Sequence, residues 1–209
     1  MIKLVTITPD AEKLIAYMAR VSSSHQDNPE YEKLIRYLID HAHWSPFEMC
    51  HAVIELNTSR AIAQQILRHR SFSFQEFSQR YSSDIPGDPE FSWGREQADK
   101  NRQSSVVEFD DDTQIEWEAI QRRAFNAANN AYQQALDLGV AREQARMLLP
   151  LATPTRLYMS GSIRSWIHYI QLRTQADTQL EHREVAEECQ LILAKELPTI
   201  GKILGWSAG

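Results

Sequence analysis

The chain has 209 residues, 43% of them hydrophobic and 24% charged, which is ordinary globular usage and enough for one core without disulfide or metal staples. Seven Gly and eight Pro exclude a collagenous or low-complexity chain, and no apolar run approaches the roughly 18 residues of a membrane span. Its net charge of −6 argues against a general nucleic-acid binder. Met1 to Thr6 lack the basic, apolar and small-residue order of a leader, and Cys50 and Cys189 form no disulfide framework. A cytoplasmic location in a reducing compartment is therefore expected.

Met1 to Thr8 reads as a strand rich in Ile, Val and Thr. Thr8-Pro9 and Asn28-Pro29 each read as an N-cap followed by Pro at the first helical position. Behind them stand Ala11, Leu14, Ile15 and Met18, then Tyr31, Leu34, Ile35, Leu38 and Ile39, at helical spacing. Pro46 closes the second helix, Phe47 to Asn57 is β-like, and Thr58 to His69 reads as a helix. Residues 84–112 read as an irregular surface connection with a short helix. Thr113 and Glu116 form a capping-box pattern for a helix that Gly139 stops. A helix from Ala141 to Leu149 and a strand from Arg156 to Gly161 follow. Ser162 caps a helix with Ile163, Trp166, Ile167 and Ile170 as its apolar face, and the last long helix covers Glu181 to Leu197. The order predicts one α+β catalytic domain over residues 1–209, with a small, mostly antiparallel sheet surrounded by helices.

The positive charge is unevenly placed. Sixteen Arg stand against six Lys, and two segments are locally basic: Arg60 to Arg80 and Val140 to Gln175. Arg predominates where phosphate or carboxylate is gripped by two parallel hydrogen bonds, so the pattern predicts a focused anion site. The densest stretch runs from Arg68-His69-Arg70 to Ser78-Gln79-Arg80-Tyr81, with Phe72, Phe74 and Phe77 between. Guanidinium and hydroxyl groups suit a phosphate, and the aromatics suit a flat ring. A helix C-terminus decorated with cations is the plainer reading of Arg68 and Arg70. Farther on, Arg164, His168, Gln171 and Gln175 form a stripe on one helix face, and Arg173 lies about 180° round from Arg164 at 100° per residue. One helix thereby addresses two ligands.

Other chemistries find no support in spacing. His41 and His43, with His51 and Glu48, show no metal-ligand pattern, so no metal is expected. No phosphate-binding glycine loop or serine-hydrolase elbow is present. Both cysteines sit in apolar patterns and read as structural.

The run Arg68-His69-Arg70, seven residues, Ser78, then Arg80-Tyr81 resembles the signature of the flavin-dependent thymidylate synthases, with Ser73 and Glu76 also in place. The resemblance extends from Ala19-Arg20-Val21-Ser22 to the last helix, through His41 to Glu48, Arg142 to Pro150, Arg164, His168 and Arg173, then Gln179, Glu181 and Arg183. It implies a homotetramer that holds FAD at subunit interfaces and methylates dUMP to dTMP. Methylenetetrahydrofolate is the implied carbon donor and NADPH the implied reductant of the flavin. Carried over by position, Ser45, Arg68, His69, Arg70, Glu76, Ser162, Ile163, Arg164 and His168 would bind FAD. Gln65, Arg68, Glu76, Ser78, Gln79, Arg80, Arg146 and Arg173 would bind dUMP, partly across subunits, with Arg173 catalytic against the uracil ring. No thiol is needed in that family. Neither a nucleic acid nor a membrane is an implied partner.

The chain departs from the family at three places: Gln75 replaces the usual Asn, Ser162 the usual Asn, and Ser45 a common Thr. Ser162 loses the two amide donors of Asn, a change worth about 1 kcal/mol per lost bond. Two rival readings share the same arginines. One is a relative that acts on another pyrimidine nucleotide or delivers hydroxymethyl. The other is a non-catalytic nucleotide- or RNA-binding protein that stacks bases on the phenylalanines.

Overall fold

A computed structural model describes residues 2–89, 91–101 and 103–206, the side chain of residue 107 excepted. Its elements run β1 (Ile2–Ile7), α1 (Ala11–Ala19), α2 (Glu32–Asp40), a 3-10 turn (Ser45–Met49), β2 (His51–Ser59), α3 (Arg60–Ile66) and β3 (Ser73–Glu76). A hairpin of β4 (Arg95–Gln97) and β5 (Ser105–Glu108) leads to α4 (Asp111–Asp137), then α5 (Arg142–Ala145) and a 3-10 turn (Arg146–Leu148). The chain closes with β6 (Pro154–Ser162), α6 (Ile163–Arg173), α7 (Leu180–Glu196) and α8 (Pro198–Leu204). The expected α+β architecture is found: four strands in the order β1-β2-β6-β3, every pair antiparallel, with helices around them.

The central pair β2–β6 shows why the sheet sits where it does. Alternate residues Ala52, Ile54 and Leu56 face one side and register against Gly161, Met159 and Leu157, all of them buried. Period-2 alternation presents this apolar face to the helices. α6 lies on it with Ile163, Trp166, Ile167 and Ile170 inward, as expected, and the Trp166 indole donates to the Ala52 carbonyl at 3.1 Å. α7 packs against α6 and adds Val185, Ala186, Cys189 and Leu193 to the same core. Each large aliphatic removed from water contributes about 1.5–3 kcal/mol, so this layer dominates the stability.

Several boundaries differ from expectation, each for a local reason. Met1 lies outside the described residues. Thr8-Pro9 does not cap α1, because the Thr8 hydroxyl accepts from the His51 amide at 2.9 Å and extends the sheet; Asp10 takes the N-cap. Asn28-Pro29 does not start α2 either: the Asn28 side chain accepts from the Glu30 amide at 2.9 Å, a local turn, and the helix begins at Glu32. The first residues of the segment read as β-like form the 3-10 turn at Ser45–Met49, with Pro46 near its start. α3 is shorter than read and is capped by Ser59.

The segment 84–112 contains the β4–β5 hairpin and, among its described residues, no short helix of its own; its last two residues, Asp111 and Asp112, already belong to α4. α4 is capped by Asp110, which accepts from the Thr113 amide at 2.9 Å, so Thr113 is the third helical residue and not the cap. Gly139 does end α4, in the left-handed region at φ 83°. Ala141 to Leu149 is only a single α turn followed by a 3-10 turn. Directly after the last helix read from the sequence, Pro198 opens a further helix, α8, at its first position, where the missing N–H costs nothing.

Candidate functional site

The Arg68-His69-Arg70 turn is held in place from below. α3 ends at Ile66 with Leu67 as its C-cap, the His69 amide donates to Ile66 O at 3.0 Å, and the Phe72 amide donates to His69 O at 3.2 Å. Phe72 is buried edge-on against Trp166, ring centroids 4.9 Å apart. It lies directly over Gly161, where an added Cβ would meet the ring at 2.4 Å. The glycine in β6 is therefore what lets the motif turn seat on the sheet. With Phe72 fixed, Arg68 and Arg70 project to the surface and His69 is half-buried. Neither arginine has an ion pair or side-chain hydrogen bond among the described residues. Together with Trp44, Arg164 and His168 they wall a cavity of about 510 Å³.

α6 divides the site as its spacing predicts. On one side, Arg164 donates to Glu48 at 2.7 Å, and the Ser162 hydroxyl donates to the other Glu48 oxygen at 2.6 Å. The Ser162 bond foremost, together with Arg164, holds the Glu48 carboxyl below the usual carboxylate range despite burial. Ser162 also accepts from the Ser165 amide at 3.2 Å as N-cap of α6.

On the other side, at the C-terminal end of the helix, Arg173 donates through Nε to His69 Nε2 at 2.9 Å. An arginine can only donate, so His69 Nε2 is the acceptor and the ring proton sits on Nδ1. Burial, then the Arg173 and His168 charges, lower the His69 pKa to about 4, which keeps the ring neutral. Arg173 thus has a fixed plane and an uncompensated charge.

Beneath this pair lies a second neutral imidazole. His182 is fully buried, and burial with the nearby Arg173 and His69 lowers its pKa to about 3. Its Nδ1 donates to Gln65 Oε1 at 3.3 Å, which leaves Nε2 to accept from the Tyr169 hydroxyl at 3.2 Å. Gln65 Nε2 in turn donates to Gln179 at 2.7 Å.

The remaining predicted residues lie in several places. Ser78 and Arg80 line a groove with Tyr81, Arg142 and Glu143. Arg80 pairs with Glu143 at 3.4 Å, an exposed contact of the kind worth at most about 1 kcal/mol. Arg146 donates to the Glu143 carbonyl at 3.3 Å. Glu76 accepts from Thr155 at 3.0 Å. Gln79 is buried and accepts from Arg60 at 2.8 Å, while its amide nitrogen has no partner. Ser45 begins the 3-10 turn next to Trp44, and Gln75 is an exposed residue of β3. Ile163 does not join the surface cluster: its side chain is in the core and its amide donates to Cys50 O at 2.8 Å.

Sequence reasoning missed Tyr169 and His182. The signal for His182 was present: it is the one polar residue on the α7 face of Val185, Ala186, Cys189 and Leu193. His41 is the C-cap of α2 and stacks on Tyr37, ring centroids 4.1 Å apart, and His43 lies past the helix end. Burial raises the thiol pKa of Cys50 and Cys189, leaving both protonated and unreactive.

Comparison with known proteins now bears on this geometry. Residues 3–199 match the family model of the thymidylate synthase complementing proteins. The chain is 50% identical over 195 residues to a flavin-dependent thymidylate synthase of Synechocystis, covering 93% of this chain and 90% of that one. It is 47% identical over 213 residues to a probable flavin-dependent thymidylate synthase of Paramecium bursaria Chlorella virus 1, covering 98% of each. Among solved structures it resembles the UMP/dUMP methylase PolB of Streptomyces cacaoi bound with 5-Br dUMP, with a TM-score of 0.84, 28% identity, and coverage of 98% of this chain and 94% of that one. The fold, the motif turn and these likenesses agree: the chain belongs to the thymidylate synthase complementing protein family, the flavin-dependent thymidylate synthases.

Proposed function

We propose that the protein methylates dUMP to dTMP, with methylenetetrahydrofolate as carbon donor and NADPH as the source of electrons through FAD. The observation that carries this reading is Arg173, half-buried and held in one plane by a neutral histidine. Methylation requires carbon 5 of the uracil to become nucleophilic, so negative charge develops on the ring. A preorganised guanidinium whose charge no carboxylate cancels stabilises that charge without reorganising. It remains protonated at any working pH and so acts as a field, not as a proton acceptor.

The rest of the nucleotide site is what the family likeness implies, drawn partly from a neighbouring subunit, since Ser78 and Arg80 line a groove that Arg173 does not. Arg80, Arg146 and Ser78 supply donors for the phosphate, and the weak Arg80–Glu143 pair gives way to it. The orphaned amide of Gln79 is a donor in want of an acceptor, as a ligand site requires. Gln65 and Arg68 contribute from the α3 end, and Glu76 from β3.

The residues fit FAD as well. Two unpaired arginines suit a pyrophosphate, and Trp44 offers a flat apolar wall for a ring. Arg68, His69, Arg70, Arg164 and His168 would hold the cofactor, with Ser45, Glu76 and the start of α6 at Ser162 and Ile163 alongside. Bound and reduced, the flavin supplies the hydride. The chain's own residues orient the uracil, exclude water and stabilise the ring anion. Buried cysteines with raised thiol pKa values suit a route that uses no enzyme thiol.

The homotetramer is supported by surfaces that one chain leaves open. Tyr81 is exposed in the Ser78–Arg80 groove, and Leu138, Met147 and Leu151 are exposed as well, Met147 at 81%. α4 spans 27 residues but buries only Gln114 and Tyr132. No helix among the described residues is long and apolar enough to cross a membrane, and a cytoplasmic single-domain enzyme is the reading we adopt.

The likeness to a UMP/dUMP methylase favours a second substrate reading, in which the ribonucleotide is also accepted. Incubation with FAD, NADPH, methylenetetrahydrofolate and either dUMP or UMP, followed by product mass, tests both. A gain of one methyl on dUMP supports the proposal. A gain on UMP alone, a hydroxymethyl product, or protein that never retains flavin overturns it.

A further inference from the structure

The hairpin lies in the irregular segment 84–112, yet through Arg95 it reaches α7. Arg95 opens β4 and is largely enclosed, as is its partner Glu181, with Nη2 to Oε1 at 2.6 Å. Its Nε donates across the hairpin to Ser105 Oγ at 2.9 Å, so both strands fix the guanidinium. The preceding residue is fixed too. Gly94 exchanges two hydrogen bonds with the buried side chain of Gln114, at 2.8 and 2.7 Å, and a Cβ there would stand 2.7 Å from Phe109.

Glu181 lies in the first turn of α7, where a carboxylate is favoured by the helix dipole. Burial pushes its carboxyl up, and the Arg95 and Gln179 hydrogen bonds outweigh that, so it stays ionised. Its second oxygen accepts from Gln179 Nε2 at 2.9 Å. That bond sets which end of the Gln179 amide is carbonyl, and the carbonyl accepts from Gln65 Nε2 at 2.7 Å. Gln65 Oε1 is thereby turned toward His182. Each link is directional: a carboxylate can only accept, and an amide that donates at one end must accept at the other.

We propose that Arg95 and Glu181 are positioning residues of the nucleotide site, acting through Gln179 on the orientation of Gln65. The hairpin is then part of the binding machinery, although it touches no substrate itself. The inference rests on the reading of Gln65 as a dUMP ligand.

The test is a mutant cycle on the loaded enzyme that reads kcat, KM for dUMP, flavin retention and melting temperature. R95A raises KM for dUMP about fivefold, the worth of one lost hydrogen bond, with kcat and the flavin spectrum little changed. R95K, which still pairs with Glu181, restores most of it. R95M/E181M removes the pair without stranding a buried charge and shows the same rise in KM, which guards against mere unfolding. In a Q65A background, R95A adds nothing further. An R95A protein that loses melting temperature and kcat together at unchanged KM overturns the proposal, as does a KM effect that multiplies with Q65A. If Q65A alone leaves the dUMP KM unchanged, the assignment of Gln65 itself falls, and the relay with it.

Discussion

Arg164 and Arg173 stand at opposite ends of α6 and differ in the charge of the group that holds them, on which their proposed roles turn. Arg164 faces Glu48, so its charge is largely answered within the protein, and it serves as a surface donor. Arg173 faces a neutral histidine, so the bond that fixes its plane leaves its charge intact. A carboxylate in the place of His69 would orient Arg173 equally well and cancel the field it supplies. On the proposed function, the charge of the group that orients each arginine, and not the arginine's own chemistry, is what separates a binding role from an electrostatic one.

The sharpest way to break this comparison is to remove each arginine in turn. R173A is expected to lower kcat by about 10²–10³, the usual worth of an electrostatic transition-state donor, while FAD stays bound. R164A is expected to weaken FAD instead, by about tenfold, and to leave the KM for dUMP unchanged. Flavin absorbance after desalting, beside steady-state rates, separates the two; matched losses of flavin in both variants would erase the distinction.

A finer test exchanges the orienting group. H69N keeps an acceptor, whereas H69D brings a negative charge to Arg173. Turnover of H69D should fall below that of H69N by on the order of tenfold, about 1.4 kcal/mol of barrier. Equal rates in the two variants would mean that orientation alone matters.

A last test reads stability against pH. His69 and His182 titrate near 6.5 when unfolded and at about 4 and about 3 when folded. The unfolded chain therefore binds more protons between these values, and stability falls as pH drops from about 6.5 toward 4. Glu48, held low in the fold, adds a loss of the same sign as pH falls below the ordinary carboxylate range. Melting curves from pH 7.5 to 4.5 should show the decline, shallower in H182Q than in wild type. An identical slope in that variant would remove His182 from the account.

The long amphipathic elements were legible because their burial follows their own periodicity. The four apolar residues read on α6 are all buried, and Ser162 caps it as read. β3 was not legible: a four-residue edge strand with the sequence SFQE owes its pairing to β6 and carries no clear alternation of its own. The cap of α4 was misread because Asp110 and Thr113 both fit a capping pattern, and only the hydrogen bond chooses between them. In the site, the opposition of Arg164 and Arg173 was readable from helical geometry alone. The neutrality of His69 was not, because it depends on a contact with a residue 104 positions away and on burial under α6. The hairpin's grip on Glu181 joins residues 86 apart and was equally invisible.

The central claim is that Arg173 acts on the uracil and not on the flavin. A single-turnover experiment with photoreduced, FAD-loaded protein addresses it most directly, following flavin reoxidation and dTMP formation after dUMP and methylenetetrahydrofolate are added. The account predicts that wild type forms dTMP, and that R173A holds the same amount of flavin yet forms dTMP slower by at least about a hundredfold. An R173A protein that forms dTMP at the wild-type rate, or that has lost its flavin, would contradict it.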